Sequence, residues 1–309
     1  MSTIETGAGG LANRKPLDRR SIWIAVRQSR AAYLLLLPFI VHFVVVVAYP
    51  LAYSIYLSFF EAGLGLAPEY VGLQNFRELL ADERFRRALG NTFYFAFFAV
   101  IGETVLPLAL ALVMNTSLRF RALFRTAYFL PVITSWVVVS IIWGVLFSRE
   151  GVVNTVLSAV GFAEQPLLAD ARQAMWIIIL LSVWKNLGYY MVIYLAGLQG
   201  VPQDLYDAAA IDGAGTWRSI WHVAIPGLRP IIYFVASVST IGSMQLFTQP
   251  LLMTNFGPED ATLPVVGLLY QSAFVDLDFG YGSAIGTVLL VILIALSLFN
   301  KRANDWLAR

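Results

Sequence analysis

Six long apolar stretches, at 31–58, 91–114, 126–148, 174–198, 231–254 and 279–300, decide what this chain can become. Each exceeds the roughly 20 residues a helix needs to cross the hydrocarbon of a bilayer. Four of them contain no charged residue, and the other two carry Glu103 and Lys185. With 59% hydrophobic and 13% charged residues, the chain lacks the balance of a water-soluble domain. Pro38, Pro50, Pro107, Pro131 and Pro250 lie inside the stretches, where neighbouring helices can re-satisfy the backbone. The expected fold is an all-α membrane protein of six transmembrane helices. A cytoplasmic tail and juxtamembrane helix would occupy 1–30, the membrane domain 31–300, and a second tail 301–309.

Orientation follows from Lys and Arg. With the N-terminus inside, 14 of the 21 basic residues fall in cytoplasmic pieces, including Arg119, Arg121 and Arg125 in one loop and Arg218 and Arg229 in the next. The last external loop has none and carries Glu259, Asp260, Asp276 and Asp278. The positive-inside rule therefore puts both termini and the 199–230 loop in the cytoplasm. The first apolar run reads as an uncleaved span, because it is long, lies far from the start and has no small-residue cleavage site after it. The net charge of +2 is the remainder of this asymmetry and implies no nucleic-acid partner.

Soluble chemistry is scarce. The absence of cysteine excludes disulfides and thiolate catalysis. Lys15, Lys185 and Lys301 follow Arg14, Trp184 and Asn300, so no Gly-Lys phosphate loop exists. His42 and His222 have no carboxylates placed to complete a metal site, and His222 reads as a helix-surface residue. No nucleophile stands beside a base. The chain is expected to be a non-catalytic membrane subunit without a cofactor or metal of its own.

The most informative polar segment is 201–230, VPQDLYDAAAIDGAGTWRSIWHVAIPGLRP. Pro202 suits a first helical turn, and Asp204 and Asp207 favour the positive helix end. Ala208, Ala209 and Ala210 form helix with almost no side-chain bulk. Gly213 and Gly215 then break it, Thr216 can cap a second short helix, and Pro226 is expected to stop that helix. The product is a compact helix-turn-helix with carboxylates and a smooth alanine face at the membrane surface, a shape suited to docking.

Asp207, Ala208 and Ala209, followed by Gly213, Val223, Ile225 and Pro226, resemble the EAA loop of the membrane subunits of bacterial ABC importers. The departure is Asp for Glu at 207. VGLQNF at 71–76, FRTAYFLP at 124–131, VWKNLGYY at 183–190 and TNFGP at 254–258 resemble the carbohydrate-uptake branch. The resemblance implies a type I importer permease in the bacterial inner membrane. It implies pairing with a second permease, two ATPase subunits that hold ATP and Mg, and an external solute-binding protein. The coupling loop 201–226 would then dock the ATPases through Asp204, Asp207, Ala208, Ala209, Asp212 and Gly213, with Pro226 setting the start of the fifth span.

Intramembrane polar residues are costly, so they suggest function. Asn186, Gly188, Tyr189 and Tyr190 in the fourth span, and Ser239, Ser243 and Gln245 in the fifth, are the candidate solute pathway. Asn186 with Tyr190, and Ser239 with Ser243, each share a helix face. A sugar wants hydrogen bonds for its hydroxyls and aromatic faces for its C–H surfaces. The competing reading is interhelical hydrogen-bonding glue. For Glu103 and Lys185 the expectation is a structural ion pair or a snorkel to the interface. An amphipathic helix over 71–90, anchored by Phe76, Leu79, Leu80 and Leu89, either faces a binding protein with the acidic loop 255–278 or caps the bundle. Other solutes stay open: a glycerol-phosphate type in the same machine, or an ion-coupled secondary transporter, which would want repeated halves.

Overall fold

The computed structural model describes residues 30–65, 67–115 and 121–307; the tail and helix expected over 1–30 lie outside the described residues apart from Arg30. The chain divides into two units, Met1–Tyr53 and Ser54–Arg309. In the first, α1 (Arg30–His42) runs into a π-helical turn at Phe43–Ala48 and then into α2 (Tyr49–Leu57). Pro50 can donate no hydrogen bond, and the widened turn ahead of it accommodates its ring.

In the second unit a small antiparallel hairpin, β1 (Phe60–Glu61) and β2 (Glu69–Tyr70), interrupts the helices and pairs Phe60 with Tyr70. Next come α3 (Gln74–Ala81) and α4 (Glu83–Met114). The single helix expected over 71–90 is thus two. Asp82 leaves helical geometry and accepts a 2.8 Å hydrogen bond from the Arg84 amide, an N-cap that starts α4 afresh. Leu79 is fully buried, but Leu80 is 69% exposed and anchors nothing.

The third span is bent. α5 (Arg121–Ile133) and α6 (Trp136–Leu146) meet at 104°, where a continuous span over 126–148 was expected. Ser135 adopts extended geometry and caps α6 by accepting from the Val137 amide, so the chain turns there. α7 (Val152–Ala159) leads to α8 (Ala171–Gln199), capped by Asp170.

The loop after α8 holds α9 (Gln203–Ile211), α10 (Thr216–Ser219), a π turn at Ile220–Ala224 and α11 (Ile225–Gly227). Pro226 does not stop the second helix. It sits in the first turn of α11, where its lack of an N–H is harmless, and the chain breaks two residues later at Leu228. Gly215, not Thr216, occupies the cap of α10. α12 (Arg229–Met244) follows at 65°. The fifth span, expected to run to 254, ends at Met244; after a turn, α13 (Thr248–Thr254) packs separately against α6 and α8. α14 (Val265–Tyr270), a π turn at Gln271–Val275 and α15 (Phe279–Leu307) complete the chain, α15 continuing past residue 300.

At the centre, α4 packs against α8 on one side and α12 on the other. Its buried row, Phe95, Ala99, Glu103, Pro107 and Ala111, repeats every fourth residue and so forms one face. The loop after α13 is fastened to the start of α4. Arg84 pairs with Asp260 at 2.9 Å, and Asn91 donates to the carbonyls of Asp260 and Leu263.

Candidate functional site

Between α4, α6, α8 and α12 lies a cavity of about 300 Å³, roomy enough for a small solute. Asn186 and Tyr190 reach it from α8, Ser239 and Ser243 from α12, and Gln245 from the turn that ends α12. These five expected pathway residues are brought together. The other two are not. Tyr189 points away and is 43% exposed, its ring edge-on to Tyr190. Gly188 packs against α5, where an added Cβ would lie 2.0 Å from the Tyr128 carbonyl oxygen. Its role is to let two backbones approach.

Glu103, for which the sequence suggests a structural ion pair or a snorkel, lines the same cavity, as do Trp136, Phe95 and Ser182, which are not among the expected pathway residues. The signal for Glu103 was its place in the every-fourth-residue buried row of α4. Its carboxylate accepts a 2.7 Å hydrogen bond from the Asn186 amide and another from the Ser239 hydroxyl. Three helices are therefore tied at one point.

Lys185 does not meet Glu103, and the expected ion pair is absent between them. The ammonium donates to the carbonyls of Thr134 at 2.9 Å, Pro131 at 3.0 Å and Val132 at 3.4 Å. Nor does it snorkel, because it is only 3% exposed. Its nitrogen also stands 4.6 Å from the centre of the Trp136 ring. The bend between α5 and α6 turns backbone carbonyls out of the helical ladder, and one buried cation collects three of them, of which the Pro131 carbonyl also accepts from the Thr134 amide. Lys185 therefore holds the bent span and the cavity-lining Trp136 together.

The loop after α8 is built differently. α9 closes with Gly213 at φ +75, the Gly213 amide donating to the Ala210 carbonyl and the Ala214 amide to that of Ala209. This double bond pattern satisfies the last carbonyls of the helix and requires the left-handed residue that glycine supplies. Asp204 lies in the first turn, Asp207 accepts from Gln203 at 3.2 Å, and Asp212 occupies the C-cap. None of the three carboxylates pairs with a cation among the described residues. Ala208 faces out beside them, and Ala209 is half-buried. Exposed Ile211, Trp217 and Trp221 extend this face with apolar surface. Tyr206, by contrast, packs inward against the cluster that contains Tyr194, Leu198 and Leu228, and burial raises its phenol above the ordinary range. The loop is thus seated on the ends of α8 and α12. His222 lies on the helix surface, its ring nitrogen 2.9 Å from the Arg218 carbonyl oxygen.

Comparison with known proteins places this architecture. Residues 104–309 match the family described as binding-protein-dependent transport system inner membrane component. The arabinooligosaccharides transport system permease protein AraP of Bacillus subtilis is 35% identical, over 90% of this chain and 89% of its own. The sn-glycerol-3-phosphate transport system permease protein UgpA of Agrobacterium fabrum is 32% identical, over 87% of this chain and 93% of its own. The crystal structure of a bacterial ABC transporter that imports the acidic polysaccharide alginate contains a chain of the same fold. Its TM-score is 0.83 at 22% identity, covering 93% of this chain and 99% of that one. A bent-helix bundle around a polar cavity, with a docking loop at one end, is therefore the shape of a membrane-spanning importer subunit, and the chain belongs to the family of binding-protein-dependent inner membrane components of ABC transporters.

Proposed function

We propose that this chain is a sugar permease subunit that forms, with a second permease, the membrane pathway for a mono-, di- or oligosaccharide handed over by an external solute-binding protein. The observation that carries the reading is the cavity, which gathers amide, hydroxyl and aromatic groups from α8 and α12 inside the membrane-spanning helices. The likeness to an arabinooligosaccharide permease supports the same class. Two ATPase subunits would dock on 201–226 through Asp204, Asp207, Ala208, Ala209, Asp212 and Gly213. ATP and Mg would reside on those partners, and this chain would bind no cofactor. Closure of the ATPases would push the loops and, through Tyr206, move α8 and α12 to open the cavity outward; hydrolysis would reset it. Both termini would face the cytoplasm of a bacterial cell, as the Lys and Arg asymmetry favours.

The likeness to a glycerol-3-phosphate permease favours a second reading, an anionic solute. Against it, no Arg or Lys among the described residues lines the cavity, and Lys185 is committed to carbonyls. Disrupting the chain in its own host should abolish uptake of labelled neutral saccharide and leave glycerol phosphate uptake intact. The reverse pattern overturns the sugar assignment.

A further inference from the structure

Around Glu103 the cavity wall has a bias in its hydrogen bonding that goes beyond being polar. Ser182 has one hydroxyl proton and donates it to the Ile178 carbonyl at 2.9 Å. Ser239 donates its single proton to Glu103, and Asn186 commits an amide proton to the other Glu103 oxygen. Ser182, Ser239 and Glu103 are each almost completely buried and each lines the cavity. With their protons spent within the protein, the three present only lone pairs to whatever enters. Glu103 is also the one acidic or basic side chain on that wall.

We propose that Glu103 makes this patch of the wall an acceptor surface, beside the donors that Tyr190, Ser243, Gln245 and Gln249 offer elsewhere in the cavity, and that the patch favours hydroxyl-rich neutral solutes over those bearing carboxylate or phosphate. The proposal rests on the reading of the cavity as the solute path. A sugar hydroxyl can donate to the remaining lone pairs, and a carboxylate accepts up to four hydrogen bonds, of which two are taken here. A carboxylate or phosphate on the solute brings acceptors to acceptors in a poorly solvated site. Glu103 is thus a specificity-determining residue that acts directly, and also through the orientation it imposes on the Ser239 proton.

The test uses the complete transporter with its binding protein, reconstituted in vesicles. Uptake is compared for a neutral oligosaccharide and its uronate analogue, a pair that the binding protein binds. The binding protein is common to every arm, so a change in the uptake ratio belongs to the membrane step. Glu103→Gln puts an amide donor on the wall and frees the Ser239 proton to turn. The ratio of uronate to neutral uptake should rise tenfold or more; a ratio within twofold of the native one overturns the proposal. Should that variant fail to assemble, Gln245→Arg places a cationic donor at an exposed position on the same cavity. An unchanged ratio there overturns the proposal equally. Gly242→Trp separates this inference from the reading beneath it. Gly242 lines the cavity and a Cβ there meets nothing within 4 Å, so the indole can fill the space. Native uptake of both solutes in that variant overturns the path itself. Blocked uptake there, with an unchanged Glu103→Gln ratio, overturns the acceptor wall alone.

Discussion

Glu103, Asn186 and Ser239 satisfy one another across three helices, whereas Asp204, Asp207 and Asp212 meet no cation among the described residues, although all six belong to one unit of one chain. The difference follows from solvent. In hydrocarbon an unsatisfied polar group costs several kcal/mol, so Glu103, Asn186 and Ser239 are completed within the fold. At a solvated surface water stabilises a carboxylate at little cost, so the loop can leave its charges unpaired. Its apolar side chains say the same thing. Ile211 is 88% exposed and Trp217 70%, an arrangement with no internal reason. The Glu103 cluster is finished in cis, and the loop leaves charged and apolar groups exposed, as the proposed docking role requires.

The largest expected effect lies in the unfinished region. A Cβ at Gly213 would meet nothing within 4 Å, so Gly213→Trp creates no clash inside the chain. It does force a bulky residue into left-handed geometry, at a cost of about 1–2 kcal/mol, and projects an indole from the docking face. Assembly in the membrane should survive while binding-protein-stimulated ATP hydrolysis falls to the unstimulated rate. If the variant complex keeps normal stimulated turnover, the loop is not the coupling element and the contrast between the two regions loses its meaning.

A change in the finished region should act on stability first. Lys185→Met removes the donor to three backbone carbonyls at the bend between α5 and α6. The expected loss is about 3 kcal/mol, read as a lower melting temperature of the detergent-solubilised complex, since buried acceptors left without donors carry most of the penalty. Lys185→Arg retains donors and should recover part of it. A Met variant as stable as the native protein would mean that the carbonyls find other partners and that the cation does not hold the bend.

Which parts of this were legible in the sequence depended on whether local chemistry decided them. Hydropathy located the apolar helices, because the bilayer imposes length and composition directly, but not the breaks that bend the third stretch and end the fifth at Met244. The turn at Gly213 was equally local, a glycine after an alanine run. The 104° bend was not, because its stabilising partner, Lys185, is some 50 residues away and identifies itself only by what it touches. The same holds for Pro226, whose effect was set by the π turn before it. At the cavity, helical spacing correctly paired Asn186 with Tyr190 and Ser239 with Ser243, but spacing cannot say which face of α8 looks inward. Tyr189 and Gly188 were therefore grouped with residues they do not join. Glu103 and Lys185 were paired on charge alone, and each found neutral partners on a different helix.

That ambiguity of face yields the smallest and most discriminating prediction. Tyr190 and Asn186 line the cavity, while Tyr189, adjacent in sequence and of the same type, points away. Replacing Tyr190 by Ala removes an aromatic platform, and replacing Asn186 by Ala removes hydrogen bonds. Each loss is worth roughly 1–3 kcal/mol where the group is desolvated, or about 5- to 150-fold in uptake. Tyr189→Ala should leave uptake within about twofold of native, and it controls for the loss of an aromatic ring from α8. The Asn186 variant also frees one Glu103 oxygen, so it should lose some melting temperature as well, which Tyr190→Ala should show less. Uptake and melting measured on the same preparations separate solute contact from packing. If Tyr189→Ala and Tyr190→Ala lower uptake equally, or if both lower only the melting temperature, then the cavity face of α8 is glue between helices, and the interior of this chain is finished for stability and not for passage.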